Sequence, residues 1–282
     1  MYRIAEREDL GPGIHLLRVE APQVAAKAQP GQFVVLRLSE KGERIPMSIS
    51  DWERERGLVS FIFIEVGRTT YKLAALKAGD FITNFAGPLG MPSRIERFGS
   101  VVCVGGGVGI APIYHIARAM RDAGNHVISI MGARSARHLF WHDRLQQVSD
   151  RVMITTNDGS VGHRGLVTDA LKETLQSHIK IDRVVAIGPL DMMEACAATT
   201  RPYEVRTIVS LNPIMIDGTG MCGGCRVAVG GETRFACKDG PEFDGHEVDW
   251  RLLASRRRMY RVHESQALRL DLWGRSLKVT PD

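Results

Sequence analysis

The sequence predicts a β barrel followed by an α/β unit with a parallel sheet, closed by a small cysteine-bearing domain. Three observations carry that prediction. Short apolar runs broken by Gly and Pro fill residues 1–96. Strand-like and helix-like periodicities alternate over 97–210. Three of the five cysteines crowd together in the stretch 211–263. Residues 264–282 are left as a tail with no assigned role.

The 282 residues, 44% of them hydrophobic, allow one large domain or two to three smaller ones. A net charge of +5 with interspersed signs and 6% aromatics points to a solvated surface with some anion sites, not to nucleic acid. The opening MYRIAERED lacks the apolar core of a signal peptide, and no run of eighteen apolar residues offers a membrane span. A cytoplasmic protein is expected. Cys103 and Cys196 stand alone in apolar surroundings while the other cysteines cluster, which fits a metal site better than a disulfide framework.

In the first domain GIHLLRVEAP, GQFVVLRLS, GLVSFIFIEVG and DFITNFAGPLG read as strands of an antiparallel barrel. In the second, SVVCVGG, HVISIMGA, RVMITTN and DRVVAIGP read as strands of a parallel sheet. APIYHIARAMRDAG, RHLFWHDRLQQV, LVTDALKETLQ and LDMMEACAATTR read as the helices between and after them. One charged helix is expected near 249–264.

Gly105, Gly106, Gly107 and Gly109 lie between a strand and a helix, where backbone N–H groups can approach a pyrophosphate. Pro112 suits the first helical turn. Ile110 stands where the usual fingerprint has Gly or Ala, so a purely structural turn is an equal reading of this motif alone. GPLDMM, with Gly188, Pro189 and Met192, falls at the carboxyl edge of the sheet, where ligands of such folds bind; Met193 reads as packing. Arg134 in GARS suits either a 2′-phosphate or plain solvent exposure, and no acid follows that strand to mark NAD.

ERIPMSIS places Arg44 before a strand carrying Pro46, Met47, Ser48 and Ile49. VGRTTYKLAAL places Gly67, Thr69 and Thr70 at a strand-to-helix turn. Locally a helix cap is the better account of that turn; the order of sites along the chain favours an anion site. In DGTGMCGGC the spacing is D-x4-C-x2-C, followed at a distance by Cys237. Thiolates select zinc or iron–sulfur iron, and Asp217 falls at the first ligand position of plant-type [2Fe–2S] spacing. Gly218, Gly220, Gly223 and Gly224 would let the loop aim N–H groups at sulfur. Zinc is the rival, and Asp239, His246 or water are alternatives to Asp217 as fourth ligand.

Taken together, the barrel, GGGVGIAP, GPLDMM and CKDGPEFDGHEVDW resemble electron-transfer subunits of the dihydroorotate dehydrogenase type, within the ferredoxin reductase-like flavoproteins. DGTGMCGGCRV with FACKDGPEFDGHEVDW is most similar to small subunits of the electron-bifurcating NADH-dependent reduced ferredoxin:NADP oxidoreductases (Nfn), whose first cluster position is Asp rather than Cys. The resemblance covers about residues 1–263. It implies FAD at Arg44, Pro46, Met47, Ser48, Ile49, Gly67, Thr69 and Thr70. It implies NAD(H), in place of the NADP suggested by Arg134, at Gly105, Gly107, Gly109, Arg134, Gly188, Pro189 and Met192. A [2Fe–2S] cluster is implied at Asp217, Cys222, Cys225 and Cys237. A larger partner subunit with a second FAD and [4Fe–4S] clusters is implied, with ferredoxin reached through it. Related flavoproteins place Arg three residues before the flavin-facing Ser; here that residue is Ile45, Arg44 is displaced by one, and Met47 replaces an aromatic. Hydride would pass between NAD(H) and FAD with no catalytic side-chain acid or base. The alternatives are a subunit of a dihydroorotate or sulfide dehydrogenase, and a zinc-stabilised nucleotide-binding module without redox chemistry.

Overall fold

The computed structural model describes residues 1–276, with side chains described through residue 270. The first part contains β1 (Tyr2–Gly11), β2 (Ile14–Glu20), α1 (Pro22–Lys27), β3 (Phe33–Arg37), β4 (Ile45–Ser48), β5 (Asp51–Glu53), β6 (Leu58–Ile64), α2 (Arg68–Ala74), β7 (Phe81–Ile82) and β8 (Asn84–Leu89). These strands form two antiparallel sheets, ordered β5-β6-β2-β1-β7 and β4-β3-β8. Alternation along each strand sends Ile4, Leu17, Val19, Val34, Leu36, Phe61 and Phe85 into a shared interior closed by Leu73 of α2.

Next come β9 (Ser100–Gly106), α3 (Ile110–Asp122), β10 (His126–Ala133), α4 (His142–Gln147), β11 (Arg151–Thr156), β12 (His163–Arg164), α5 (Val167–Gln176), β13 (Arg183–Ile187), α6 (Leu190–Thr200) and β14 (Thr207–Ser210). The strands lie parallel in the order β12-β11-β10-β9-β13-β14. Alternate residues of β9 face opposite layers. Val102 and Val104 meet α5 and α6, while Val101 and Cys103 meet Ile110, Ile113 and Ile116 of α3. Burial drives this arrangement, since each such side chain is worth about 1.5–3 kcal/mol. Ile14, Leu16 and Ile62 of the barrel join the α3 layer, so the two units share apolar packing.

The cysteine stretch contributes β15 (Arg226–Val229), β16 (Glu232–Phe235), β17 (Glu242–Asp244), α7 (Trp250–Arg257) and α8 (Arg261–Ser276). It is not a separate bead. β17 adds antiparallel to β14, completing the edge of the otherwise parallel sheet. Leu211, Met215, Cys225 and Cys237 pack in one core with Phe33 and Val35 of the barrel and Val209 of β14.

Two expected helices are corrected. RHLFWHDRLQQV is α-helical only over His142–Gln147, after a short 3-10 turn at Ala136–His138, because Trp141 adopts a left-handed φ of 59° that interrupts the run. The single helix near 249–264 is two helices, α7 and α8, separated by a turn, and α8 continues into the expected tail to pack against α2. No helix among the described residues is long and apolar enough to cross a membrane.

Candidate functional site

The glycine turn after β9 sorts its own residues. A Cβ at Gly109 would lie 2.1 Å from the Ile187 carbonyl oxygen, and one at Gly105 would lie 2.9 Å from Ile110 Cα. Gly106 and Gly188 both lie under the Met192 thioether. These glycines let α3 and α6 close onto the strand ends. Gly107 differs: its φ is +55° and the space beside it is open, so backbone can approach a ligand there. Ile110 is fully buried in the α3 layer, which explains an apolar residue at the fingerprint's third glycine position. Pro189 immediately precedes α6, and Met193 is core, as its spacing suggested.

Arg134 is exposed at the end of β10. It shares a crevice with Arg137, His138, Ser160 and Asp158. The Asp158 carboxylate accepts the Ser160 hydroxyl at 2.6 Å and the Ser160 N–H at 3.0 Å. Those bonds, hydroxyl first, hold its pKa below the usual range. Thus the acid missing after β10 in the sequence arrives from the loop after β11, a non-local placement that motif reading passed over.

In the barrel, β4 pairs with β3 in the register Leu36–Ile45, Val35–Pro46, Val34–Met47 and Phe33–Ser48. Ser48 and Arg44 are exposed, and Ile49 is buried. At the start of α2 the Thr70 hydroxyl oxygen accepts the N–H groups of Val66 and Gly67, each at 3.0 Å, so Thr70 is a helix cap. The Thr69 hydroxyl donates to Glu43, and the space beside Gly67 is open.

The cysteine site is built by a hairpin. Gly230 and Gly231, at φ +60° and +79°, make the two-residue turn between β15 and β16. Register Arg226–Phe235 then carries the flanking Cys225 and Cys237 together, and their sulfurs lie 3.1 Å apart, buried. The Gly-Gly pair between alternating residues was the sequence signal for this hairpin. Cys222 is exposed, with the Gly224 N–H directed at its sulfur at 3.4 Å. Gly218, Gly220 and Gly223 all have positive φ, as the wrapping of the loop requires. Burial, then the neighbouring Cys225 sulfur, pushes the Cys237 thiol up to about 12. Soft donors of this kind, with N–H groups turned towards sulfur, fit an iron–sulfur group.

The Asp217 carboxylate is half-buried in the same loop. Its Oδ1 accepts the Thr219 N–H at 2.8 Å; its Oδ2 accepts those of Cys222 at 3.0 Å and Met221 at 3.1 Å. The Thr219 amide first, and the other donors after it, hold its pKa low. The alternative ligands are engaged elsewhere. Asp239 accepts the Phe235 N–H at 2.7 Å, and His246 Nε2 lies 2.9 Å from the Thr200 hydroxyl. Among the described residues no three donors already converge on one point. Gly218 rests against Val35 and Leu89, so the loop sits on the β3–β8 face of the barrel.

The chain matches the family model of an oxidoreductase NAD-binding domain over residues 103–198. Residues 212–249 match the iron–sulfur cluster binding domain of dihydroorotate dehydrogenase B, which sets the zinc reading aside. A Thermotoga maritima protein described as a dihydroorotate dehydrogenase B (NAD(+)) electron transfer subunit homolog is 49% identical over 87% of this chain and 86% of its own length. A solved structure reported for its insights into flavin-based electron bifurcation via the NADH-dependent reduced ferredoxin-NADP oxidoreductase is 45% identical, with TM-score 0.91 over 99% of this chain and 98% of that one. A Neisseria gonorrhoeae ferredoxin NADP+ reductase with bound FAD and NADP, 20% identical, shares the fold at TM-score 0.61 over 72% of this chain and 90% of that one. The chain therefore belongs to the dihydroorotate dehydrogenase B electron-transfer subunit family: it is a ferredoxin reductase-like oxidoreductase subunit that takes FAD, NAD(H) and an iron–sulfur cluster.

Proposed function

We propose that this chain is the small subunit of a cytoplasmic, electron-bifurcating NADH-dependent reduced ferredoxin:NADP oxidoreductase. It exchanges hydride with NAD(H) and relays single electrons through a [2Fe–2S] cluster to a larger subunit. That partner would hold a second FAD and [4Fe–4S] clusters and would itself meet ferredoxin. The observation that carries this reading is the seat of the cysteine loop. Gly218 touches Val35, and Val35 pairs with Pro46 of the strand assigned to flavin, so a single strand separates the two redox sites. The near-complete likeness to the bifurcating-enzyme structure supports it.

FAD supplies the exchange between hydride and single-electron chemistry. The residues of the chain place it. Pro46 and Ser48 by their outer face, and Met47 and Ile49 by their backbone, would hold the ring, while Arg44, Gly67, Thr69 and Thr70 would serve the phosphates. Gly107 would admit the dinucleotide between Gly105 and Gly109, with Gly188, Pro189 and Met192 across the turn. Arg134 flanks the adenosine end, where the ionised Asp158 favours a ribose hydroxyl over a 2′-phosphate and so favours NAD(H). Cys222, Cys225 and Cys237 supply sulfur. Asp217 would supply oxygen: its Oδ1 accepts one N–H and retains a lone pair that iron could take.

The test is anaerobic purification with cofactor analysis and titration by NADH. The expected result is one FAD and one [2Fe–2S] cluster per chain, with the flavin band bleached by NADH in preference to NADPH. Protein lacking both iron and acid-labile sulfide would overturn the proposal. The name of the Thermotoga relative favours a second reading, the electron-transfer subunit of a dihydroorotate dehydrogenase. A co-purifying partner that reduces this chain at the expense of dihydroorotate would select it.

A further inference from the structure

We infer that Asp51 and His115 form a polar lock that positions the flavin strand against the dinucleotide turn. The inference rests on the reading of β4 as the flavin strand and Gly107 as the dinucleotide turn. Asp51 opens β5, three residues after Ser48; His115 lies on α3, the helix that starts directly after Gly109. The lock therefore joins the two segments that would hold the two reacting rings, through short stretches of backbone.

The contacts are specific. Asp51 Oδ1 accepts the Trp52 N–H at 2.8 Å and lies 3.3 Å from His115 Nε2. Asp51 Oδ2 meets the Arg144 guanidinium of α4 at 3.2 Å. His115 is 1% exposed, and its ring stacks on Trp52 with centroids 4.5 Å apart. Arg118 Nη2 approaches His115 Nδ1 at 3.1 Å. A guanidinium only donates, so Nδ1 accepts and the ring proton sits on Nε2, facing Asp51. The approach to Asp51 is too poorly aligned for a full hydrogen bond. A buried N–H is thus left whose nearby carboxylate belongs to the barrel. One barrel carboxylate is bonded by Arg144 of α4 and faced by the His115 N–H of α3, and nothing in the hydride chemistry uses it. Its geometry suits positioning: small misplacement of reacting atoms by a distant change lowers rate strongly while leaving binding almost intact.

The test uses the FAD- and cluster-loaded protein and follows flavin reduction by NADH in an anaerobic stopped-flow instrument. The variants are Asp51→Ala, His115→Leu, the double variant and His115→Gln, whose amide N–H replaces the Nε2 donor. The limiting reduction rate should fall about tenfold in Asp51→Ala and in His115→Leu, with FAD content and the NADH dissociation constant held within about twofold. The double variant should be no slower than the slower single, because both remove one shared interaction. His115→Gln should keep at least about half the rate, the sign of a donor rather than of bulk. Unchanged limiting rates, multiplied losses in the double variant, or loss of FAD with a normal rate in the loaded fraction would each overturn the lock. A wild-type flavin that NADH fails to reduce would overturn the functional reading itself.

Discussion

The turn at Gly105–Gly109 and the loop at Asp217–Cys225 are both rich in glycine, yet their glycines are there for opposite reasons. In the first, Gly105, Gly106 and Gly109 are required by what presses on them: Ile110, Met192 and the Ile187 carbonyl. Packing on three sides fixes that turn before any ligand arrives. In the second, Gly218, Gly220 and Gly223 are required by their positive φ, and Gly220 and Gly223 meet only side chains at 3.4 Å or beyond. The loop's shape is held by one carboxylate and a few N–H bonds. A packed turn is preorganised for its ligand; a loop of this second kind depends on what its sulfurs hold.

The sharpest way to break the contrast is Cys237→Ser. It should remove essentially all iron and sulfide and abolish electron delivery to a partner, while FAD content and NADH-driven flavin reduction survive; metal analysis beside stopped-flow absorbance checks this. Gly109→Ala should act on the other loop alone. Its methyl group would meet backbone that cannot yield, costing about 1–3 kcal/mol of stability and at least about tenfold in NADH affinity, with the iron content kept. Calorimetry and nucleotide titration report both quantities.

Asp217→Cys sharpens the comparison by a smaller step. The cluster should remain, with a shifted midpoint potential and an altered EPR spectrum, because thiolate is softer than carboxylate. An unchanged spectrum and midpoint would remove Asp217 from the coordination sphere and leave it as the loop's cap.

The smallest effect concerns acid. Burial holds the His115 pKa below its ordinary value of 6.5. Burial alone would raise Asp51, but His115, the Trp52 N–H and Arg144 together hold it low. In both cases the unfolded chain binds more protons, so stability rises with pH. It should therefore fall as the pH drops below about 6.5, first through His115 and then through Asp51. His115→Gln should flatten the upper part of that slope in thermal unfolding midpoints measured between pH 7 and pH 5.

Features that depend on local spacing were legible in the sequence. The strand–turn–helix at Gly105–Gly109 and the strand pairs of the barrel announce themselves through alternation, helical spacing and turn residues over ten or so positions. Features made by distant pairing were not. β17 reads as three polar and aromatic residues until β14 offers it an edge, and Asp158 reads as a turn acid until β11 sets it beside Arg134. Asp51 and His115, sixty-four positions apart, carry no mutual signal in either segment. The cysteines were visible as a set, but the closeness of Cys225 and Cys237 depends on the Gly230–Gly231 hairpin.

That borrowed strand ties the third unit physically to the nucleotide-binding sheet. Cutting the chain after Ser210 would strip the cover from β14 and present a bare row of amide donors and acceptors beside Val209 and Phe33, the kind of surface that recruits other chains into aggregates. Removing the segment that carries the iron–sulfur ligands would therefore be expected to cost the nucleotide-binding half its solubility as well.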